Sequence, residues 1–276
     1  MIPTRSVLIT PGTRLDRYFG TKNLAADAVM FDFEDSVPLD NKDEARRNWC
    51  SLTKTSVRRG SCVRMNSFSS PDGIRDLNCI FSAEVKPDLI FVPKTESAAA
   101  ISLLGSILEN ARVDTQIAAL VETPMGILNA PSIASSSPRL TALAFGTADF
   151  SMALGTGMDW ETMLPARSAL IMAAKAAGVE VIDSPSFDFQ NDLALKEDCR
   201  RAKEIGFTAK FAIHPCQLNQ INEHFRPDDA TVEWAVRVLN ASTSANTNIT
   251  TMDGMMIGPP FVKRARVILA ARELEL

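Results

Sequence analysis

Two apolar runs in this chain each lead to a single carboxylate. Leu120-Val121-Glu122 is one; Ala144-Phe145-Gly146-Thr147-Ala148-Asp149, with its acid 27 positions further on, is the other. That interval fits one strand–helix–strand unit, and parallel neighbours bring their carboxyl ends to the same edge of a sheet. Two hard oxygen ligands meeting there, with other coordination positions left open, suit Mg2+, with Mn2+ as the alternative. More ionisable groups stand just past apolar runs: Asp32, Glu34 and Asp35; Arg64 beside Asn66; Lys94; Asp183; His214. Acids are in excess, and a divalent cation together with Arg64 and Lys94 would offset much of their repulsion. For Lys94, Asp183 and His214 a purely structural role at the rim is an equal alternative. A cation held by Glu122 and Asp149 could chelate a carboxylate and an adjacent keto or hydroxyl oxygen, with the planar fork of Arg64 on the same group. Such an arrangement stabilises an enolate or alkoxide, which is the chemistry of making or breaking a carbon–carbon bond beside a 2-oxo acid.

These groups need a frame that collects strand ends. Eight short runs rich in β-branched and apolar residues read as buried strands, at 7–10, 28–33, 62–65, 89–93, 117–122, 140–145, 180–183 and 210–213. Helical patterns lie between them, at 14–26, 40–56, 72–84, 96–109, 160–177 and 188–205, the last two stopped by Gly178 and Gly206. Strand and helix alternating eight times predicts an α/β protein, a (β/α)8 TIM barrel. A doubly wound open sheet would call for a glycine-rich phosphate turn, and no G-x-G-x-x-G is present. The expected division is a barrel over 1–225 and a C-terminal helical extension over 226–276. In that extension, helices are expected at 231–239 and 261–274, a small-polar linker at 241–248 and a turn-rich patch at 254–260.

Bulk properties narrow the function. Of 276 residues, 46% are hydrophobic and 22% charged, and the net charge is −4. That is an ordinary globular composition with no sign of nucleic-acid binding. No apolar run is long enough to span a bilayer, and the N-terminal stretch has no signal-peptide pattern, so the expectation is a cytoplasmic protein with no membrane partner. Five widely spaced cysteines, at 50, 62, 79, 199 and 216, argue against a disulfide framework or zinc knuckle and read as small buried apolar residues. His214-Pro215-Cys216 is not read as a nucleophilic pair, because near-adjacent residues seldom turn their side chains to each other; His214 is expected to fix its loop. Thr10-Pro11-Gly12-Thr13-Arg14 closes the first strand ahead of a helix, with Arg17 and Lys22 following, a weak phosphate-site pattern.

Seven segments in one order carry a resemblance over nearly the whole chain. They are Arg5-Ser6-Val7-Leu8-Ile9-Thr10-Pro11-Gly12, Phe31-Asp32-Phe33-Glu34-Asp35-Ser36-Val37, Val63-Arg64-Met65-Asn66, Val92-Pro93-Lys94-Thr95-Glu96, Val121-Glu122-Thr123-Pro124-Met125-Gly126, Phe145-Gly146-Thr147-Ala148-Asp149 and Ala212-Ile213-His214-Pro215-Cys216-Gln217. With them the chain resembles the citrate lyase β-subunit and malyl-CoA lyase branch of the HpcH/HpaI aldolase group. The resemblance implies a Mg2+-dependent barrel, trimeric or hexameric, that cleaves or forms 3-hydroxyacyl thioesters. It implies Glu122 and Asp149 as metal ligands and Arg64 as the ligand of the substrate oxygen. It also implies Glu34 and Asp35 as acids that orient metal-bound water, and Arg14 and Lys22 near the CoA phosphates. The C-terminal extension would be a lid over a neighbouring subunit. Ala209 replaces the family's usual glycine before Lys210, a change expected to be harmless. More consequential is Asp253-Gly254-Met255-Met256-Ile257-Gly258-Pro259-Pro260, where Gly258 stands in place of the family's lid aspartate. Condensation by deprotonating acetyl-CoA, and thioester hydrolysis, would lack that carboxylate; Asp253 lies five residues earlier.

The function expected from this reading is cleavage of citramalyl-CoA or malyl-CoA to acetyl-CoA and a 2-oxo acid. Citramalyl-CoA is preferred because Gly258-Pro259 leaves room for a methyl group. The alternatives are a citrate lyase β-subunit acting on a citryl group borne by a carrier protein, a catalytically reduced binding or scaffold subunit, and an aldolase of free 2-oxo acids.

Overall fold

The computed structural model describes residues 4–58, 60–244 and 249–273. They fall into two compact units that divide between Ile221 and Asn222.

The first unit is a closed barrel of eight parallel strands in sequential order. The strands are β1 (Ser6–Pro11), β2 (Ala28–Asp32), β3 (Ser61–Arg64), β4 (Leu89–Val92), β5 (Gln116–Val121), β6 (Leu140–Phe145), β7 (Glu180–Asp183) and β8 (Ala209–Ala212), with β8 returning to pair with β1. Each lies within three residues of its expected place. The helices between them are α1 (Leu15–Gly20), α2 (Lys42–Cys50), α3 (Pro71–Ser82), α4 (Ala98–Asn110), α5 (Pro124–Leu128), α6 (Ala130–Ala134), α7 (Thr147–Leu154), α8 (Trp160–Ala177) and α9 (Asp192–Ile205); α10 (Leu218–Phe225) follows β8.

Alternation along the strands sorts the side chains. Ala28 and Met30, Cys62, Ala118 and Leu120, Ala142 and Ala144, Ile182, and Ala209 and Phe211 belong to one buried cluster with Val7 and Phe91. They fill the barrel interior. The opposite face of β2 packs outward, where Phe31 meets Tyr18, Phe33 and Trp49 edge-on at 5.3 to 5.8 Å. One step of two beyond the apolar interior, the inward positions become Asp32, Arg64 and Glu122. The top layer of the barrel is therefore ionic, by the same periodicity that makes the layers beneath it apolar.

Three local expectations are corrected. The helices over 14–26 and 40–56 are shorter, α1 ending at Gly20 with a single 3-10 turn over Thr21–Asn23, and α2 ending at Cys50. The β5–β6 connection is two short helices, α5 and α6, separated by Asn129. The polar stretch at 241–248 does not begin as a linker, because α11 (Asp229–Ser244) runs through its first four residues; 245–248 lie outside the described residues. Small polar residues lower helix propensity only by tenths of a kcal/mol each, and Ala235 and Val238 of this helix are fully buried, which outweighs that cost.

In the second unit, α11 packs with α12 (Pro259–Glu273) and with a hairpin of β9 (Thr250–Met252) and β10 (Met255–Ile257). Ala235, Val238, Met252, Ile257 and Ala265 form its core. The turn-rich patch expected at 254–260 thus holds a strand and the start of a helix. Leu274, the last residue of the expected terminal helix, lies outside the described residues.

Candidate active site

Asp32 ends β2 with its side chain fully buried. It takes two parallel bonds from the neighbouring strand, Arg64 Nε to Oδ1 and Nη2 to Oδ2, each 2.6 Å. The backbone N–H groups of Glu34 (2.9 Å) and Ser36 (3.0 Å) and the Ser36 hydroxyl complete its shell. Arg64 lowers the Asp32 carboxyl below its ordinary value against the opposing effect of burial, and the guanidinium is raised in turn. The remaining terminal nitrogen of Arg64, Nη1, stands 3.2 Å from both Glu34 Oε2 and Asp35 Oδ2.

The β2–α2 loop that carries these acids is held from below. Lys42 Nζ donates to the carbonyls of Phe33 and Glu34 at 2.7 Å. Asn66 Nδ2 donates to the Phe33 carbonyl at 3.0 Å and to Asp76 at 2.7 Å. Asp76 is fixed by Arg46 of α2 at 2.7 Å.

Glu122 follows β5 and is 3% exposed. Its Oε1 accepts from the backbone N–H of Lys94 at 2.8 Å. Lys94 has φ of 49°, a left-handed conformation uncommon for a residue with a side chain, and that turn aims both its N–H and its ammonium at the site. The ammonium bonds Glu34 Oε1 and lies 3.7 Å from Asp35 and 3.4 Å from Asp149. Glu122 Oε2 packs against Gly146, where a Cβ would come within 2.3 Å of it. Asp149 is not at the end of β6, as expected, but in the first turn of α7, where the helix N-terminus favours a carboxylate.

Glu34, Asp35, Arg64, Glu122 and Asp149 are thus brought into one group around Lys94. Burial first, then the Glu34 and Asp149 charges, push the Glu122 carboxyl up to about 8. Burial chiefly, with Asp35 adding to it, raises Glu34 to about 7. One buried oxygen, Glu34 Oε2, has no hydrogen-bond donor, the Arg64 nitrogen beside it being out of line. Hard oxygens in excess, mutually repelling and one of them unsatisfied, fit a divalent cation of the Mg2+ type. Among the described residues no three Asp, Glu, His or Cys side chains converge as a complete ligand set, so protein groups would supply part of a shell.

Arg14 and Lys22 are placed elsewhere. Arg14 is bound to Asp16 at 2.6 to 2.8 Å on the surface, and Lys22 reaches the Thr55 carbonyl at 3.4 Å. A cavity of about 530 Å³ opens between β1, α1 and the end of β8. It is lined by Thr10, Arg17, Ser36 and His214, among others, and not by Arg14 or Lys22. Asp183 belongs to neither place: it faces the helices, fully buried between Arg167 (3.0 Å) and Lys210 (2.6 Å). His214 caps the turn after β8, its Nδ1 accepting from the Cys216 N–H at 3.3 Å. The Cys216 sulfur also lies 2.9 Å from Nδ1, so these two side chains do meet, contrary to expectation, because the cap folds position 216 back over 214.

Asp32 and Ser36 carry the Arg64 anchor and were given no role from sequence. The signal was available in Phe31-Asp32-Phe33, where period-two alternation turns the acid inward and both rings outward.

The closed barrel with an ionic top layer has the architecture of a TIM-barrel enzyme and acids that suit a divalent cation; similarity supplies the reaction class. Residues 5–215 match the HpcH/HpaI aldolase/citrate lyase family, and the chain belongs to that family, one of carbon–carbon lyases. It is 33% identical to a (3S)-malyl-CoA thioesterase of Cereibacter sphaeroides, covering 98% of this chain and 95% of that one. It is 31% identical to citrate lyase subunit beta of Escherichia coli strain K12, covering 98% and 93%. The structure of CitE from Mycobacterium tuberculosis in complex with magnesium, acetoacetate and coenzyme A superposes with a TM-score of 0.84 at 27% identity over 98% of both chains.

Proposed function

We propose that this protein is a Mg2+-dependent lyase that cleaves a short 3-hydroxyacyl-CoA, citramalyl-CoA or malyl-CoA, to acetyl-CoA and pyruvate or glyoxylate. The observation that carries this reading is the single group formed by Glu34, Asp35, Glu122 and Asp149 beside an Arg64 gripped by Asp32. Glu122 and Asp149 would hold the cation, with Glu34 and Asp35 orienting its water. When bound, the cation would act as a Lewis acid toward the carboxylate and hydroxyl oxygens of the acid half. Arg64, locked through Nε and Nη2, presents Nη1 to the oxygen that turns from hydroxyl to carbonyl. A general base takes the hydroxyl proton, the electron pair of the breaking carbon–carbon bond passes to the α-carbon of the thioester as the hydroxyl carbon becomes a carbonyl, and a general acid protonates the α-carbon to give acetyl-CoA.

Hydrolysis of the thioester, the activity in the name of the Cereibacter relative, is not favoured. Gly258 supplies no carboxylate, and Asp253, in the hairpin turn at φ 52°, is paired with Arg237. The CoA portion is assigned to the cavity beside β1 and β8, with Arg17 at its wall and Arg14 and Lys22 on the nearby surface. A homotrimer or homohexamer in the cytoplasm, with the C-terminal unit as a lid over a neighbour, completes the proposal. Among the described residues no helix is long and apolar enough to cross a membrane.

The test is release of acetyl-CoA from both thioesters by purified protein with Mg2+. Activity should vanish with a chelator, and Glu122→Ala or Arg64→Ala should lower kcat/KM by at least about 100-fold. No acetyl-CoA from either substrate, or a fully active Glu122→Ala, overturns the proposal. A second reading, cleavage of a citryl group on a carrier protein, draws on the similarity to citrate lyase subunit beta. Recovery from native cells in a complex with other subunits would favour it; a solitary homo-oligomer would count against it.

A further inference from the structure

We propose that Cys50 and Cys79 are a disulfide-forming pair, oxidised reversibly by a low-molecular-weight disulfide of the glutathione type, and that the bond staples α2 to α3. Cys50 is the last residue of α2 and is exposed, whereas Cys79 lies within α3 and is buried. Their sulfur atoms are 3.0 Å apart, although the residues are 29 positions apart in the chain. Cys50 Sγ also faces the Cys79 carbonyl at 3.7 Å, and Cys79 Sγ faces the Arg46 carbonyl at 3.3 Å. A disulfide measures about 2.05 Å, so closure needs an approach of about 1 Å, within reach of a small rotation of the exposed Cys50 side chain.

The remaining cysteines are not arranged this way. Cys62 points into the barrel interior, Cys199 is buried in α9, and Cys216 faces the imidazole of His214. Exposure decides the order of events at the pair. The Cys50 thiolate attacks glutathione disulfide, forming a mixed disulfide and releasing one glutathione, which carries the proton that Cys50 gave up. Cys79 then loses its proton and attacks Cys50 Sγ, and the second glutathione departs with its electron pair. Two protein thiols are oxidised and one glutathione disulfide is reduced to two thiols. Lowering the ratio of oxidised to reduced glutathione reverses both steps.

The two helices also support the site. Lys42 of α2 holds the backbone of Phe33 and Glu34, and Arg46 of α2 reaches Asp72 and Asp76 of α3. The sulfurs already touch with these contacts in place. The bond therefore forms without dismantling them, and its effect is on unfolding rather than on turnover.

The experiment uses the full chain carrying Cys216→Ser, which removes the other exposed thiol. After incubation with glutathione disulfide, the intact mass should fall by two hydrogens and a peptide cross-link should join Cys50 to Cys79. The Tm should rise by about 5–10 °C and return on reduction. The same treatment of the Cys79→Ser variant should leave a lasting glutathione adduct on Cys50. A persistent adduct on Cys50 without Cys79→Ser, an unmodified Cys50, or an oxidised protein with the Tm of the reduced one overturns the proposal.

Discussion

Glu122 shows how one residue can set the working range of the site. Its carboxyl is raised to about 8 because it is buried beside Glu34 and Asp149, which outweighs the Lys94 N–H and the Arg64 charge that stabilise its ionised form. A carboxyl whose folded value lies above its unfolded one favours folding fully below the unfolded value, near 4.5. That contribution is lost as pH climbs through about 8. Metal-free protein should therefore lose thermal stability between about pH 5 and 8, and Glu122→Gln should flatten that slope. Cation binding runs the other way, because the ligand must be ionised. Mg2+ affinity should rise with pH across the same interval. Calorimetry at pH 7 in two buffers of different ionisation enthalpy should show proton release, and pH-independent binding between 6 and 9 would contradict this. The meeting of Glu122 and Arg64 at one end of the barrel was legible in the sequence because each closes a short apolar run, whereas Asp149 joins them from α7, four residues past the end of β6. Asp32 was not assigned its task, since an acid between two phenylalanines looks the same whether it holds a partner or a substrate. The meeting of Cys50 with Cys79 was hidden entirely: spacing along a chain says nothing of two helices packed side by side.

At the scale of elements, α7 and the strands beneath it decide where the acids stand. Val121 pairs with Phe145, so Glu122 and Gly146 are the next residues up on adjacent strands. The glycine lets the carboxylate lie flat on the backbone that opens α7, and a methyl group at that point would sit 2.3 Å from Glu122 Oε2. Gly146→Ala should displace the carboxylate and weaken Mg2+ binding by at least about tenfold, a change of about 1.4 kcal/mol. The far-ultraviolet circular dichroism of the barrel should stay native. Unaltered metal affinity in the folded variant would show that Glu122 does not depend on this contact. The eight strands were legible because buried parallel strands are continuous apolar runs of standard length. Helix limits were less so. The break between α5 and α6 falls at Asn129, whose side chain donates to the Glu96 carbonyl, and the extension of α11 through Ser244 rests on burial; periodicity reports neither.

A second ionic group ties the last strands of the barrel to the helices outside them, on the face opposite the interior. Lys210 is fully buried on β8, with Asp183 of β7 at 2.6 Å and Asp198 of α9 at 2.7 Å, and Arg167 of α8 completes the group. Phe211 and Ala209 point inward, so Lys210 must point to the helices, and the same parity removes Asp183 from the catalytic ring. Lys210→Met leaves buried carboxylate uncompensated and should cost about 3 kcal/mol in denaturant-induced unfolding. Because the group lies away from the acids around Lys94, kcat should hold at temperatures where the variant remains folded. A loss under 1 kcal/mol would mean that Arg167 alone suffices for Asp183. Parity, more than residue type, separated the chemical ring from this structural clasp, and parity becomes readable only once strand limits are known.

The Asp32 grip on Arg64 has a thermodynamic corollary. An arginine side chain left free carries about 2 kcal/mol of rotamer entropy, which a ligand would have to quench each time it arrived. Here two of its nitrogens are already engaged by a buried carboxylate. That disorder is surrendered once, when the chain folds, and every later encounter finds the guanidinium already still.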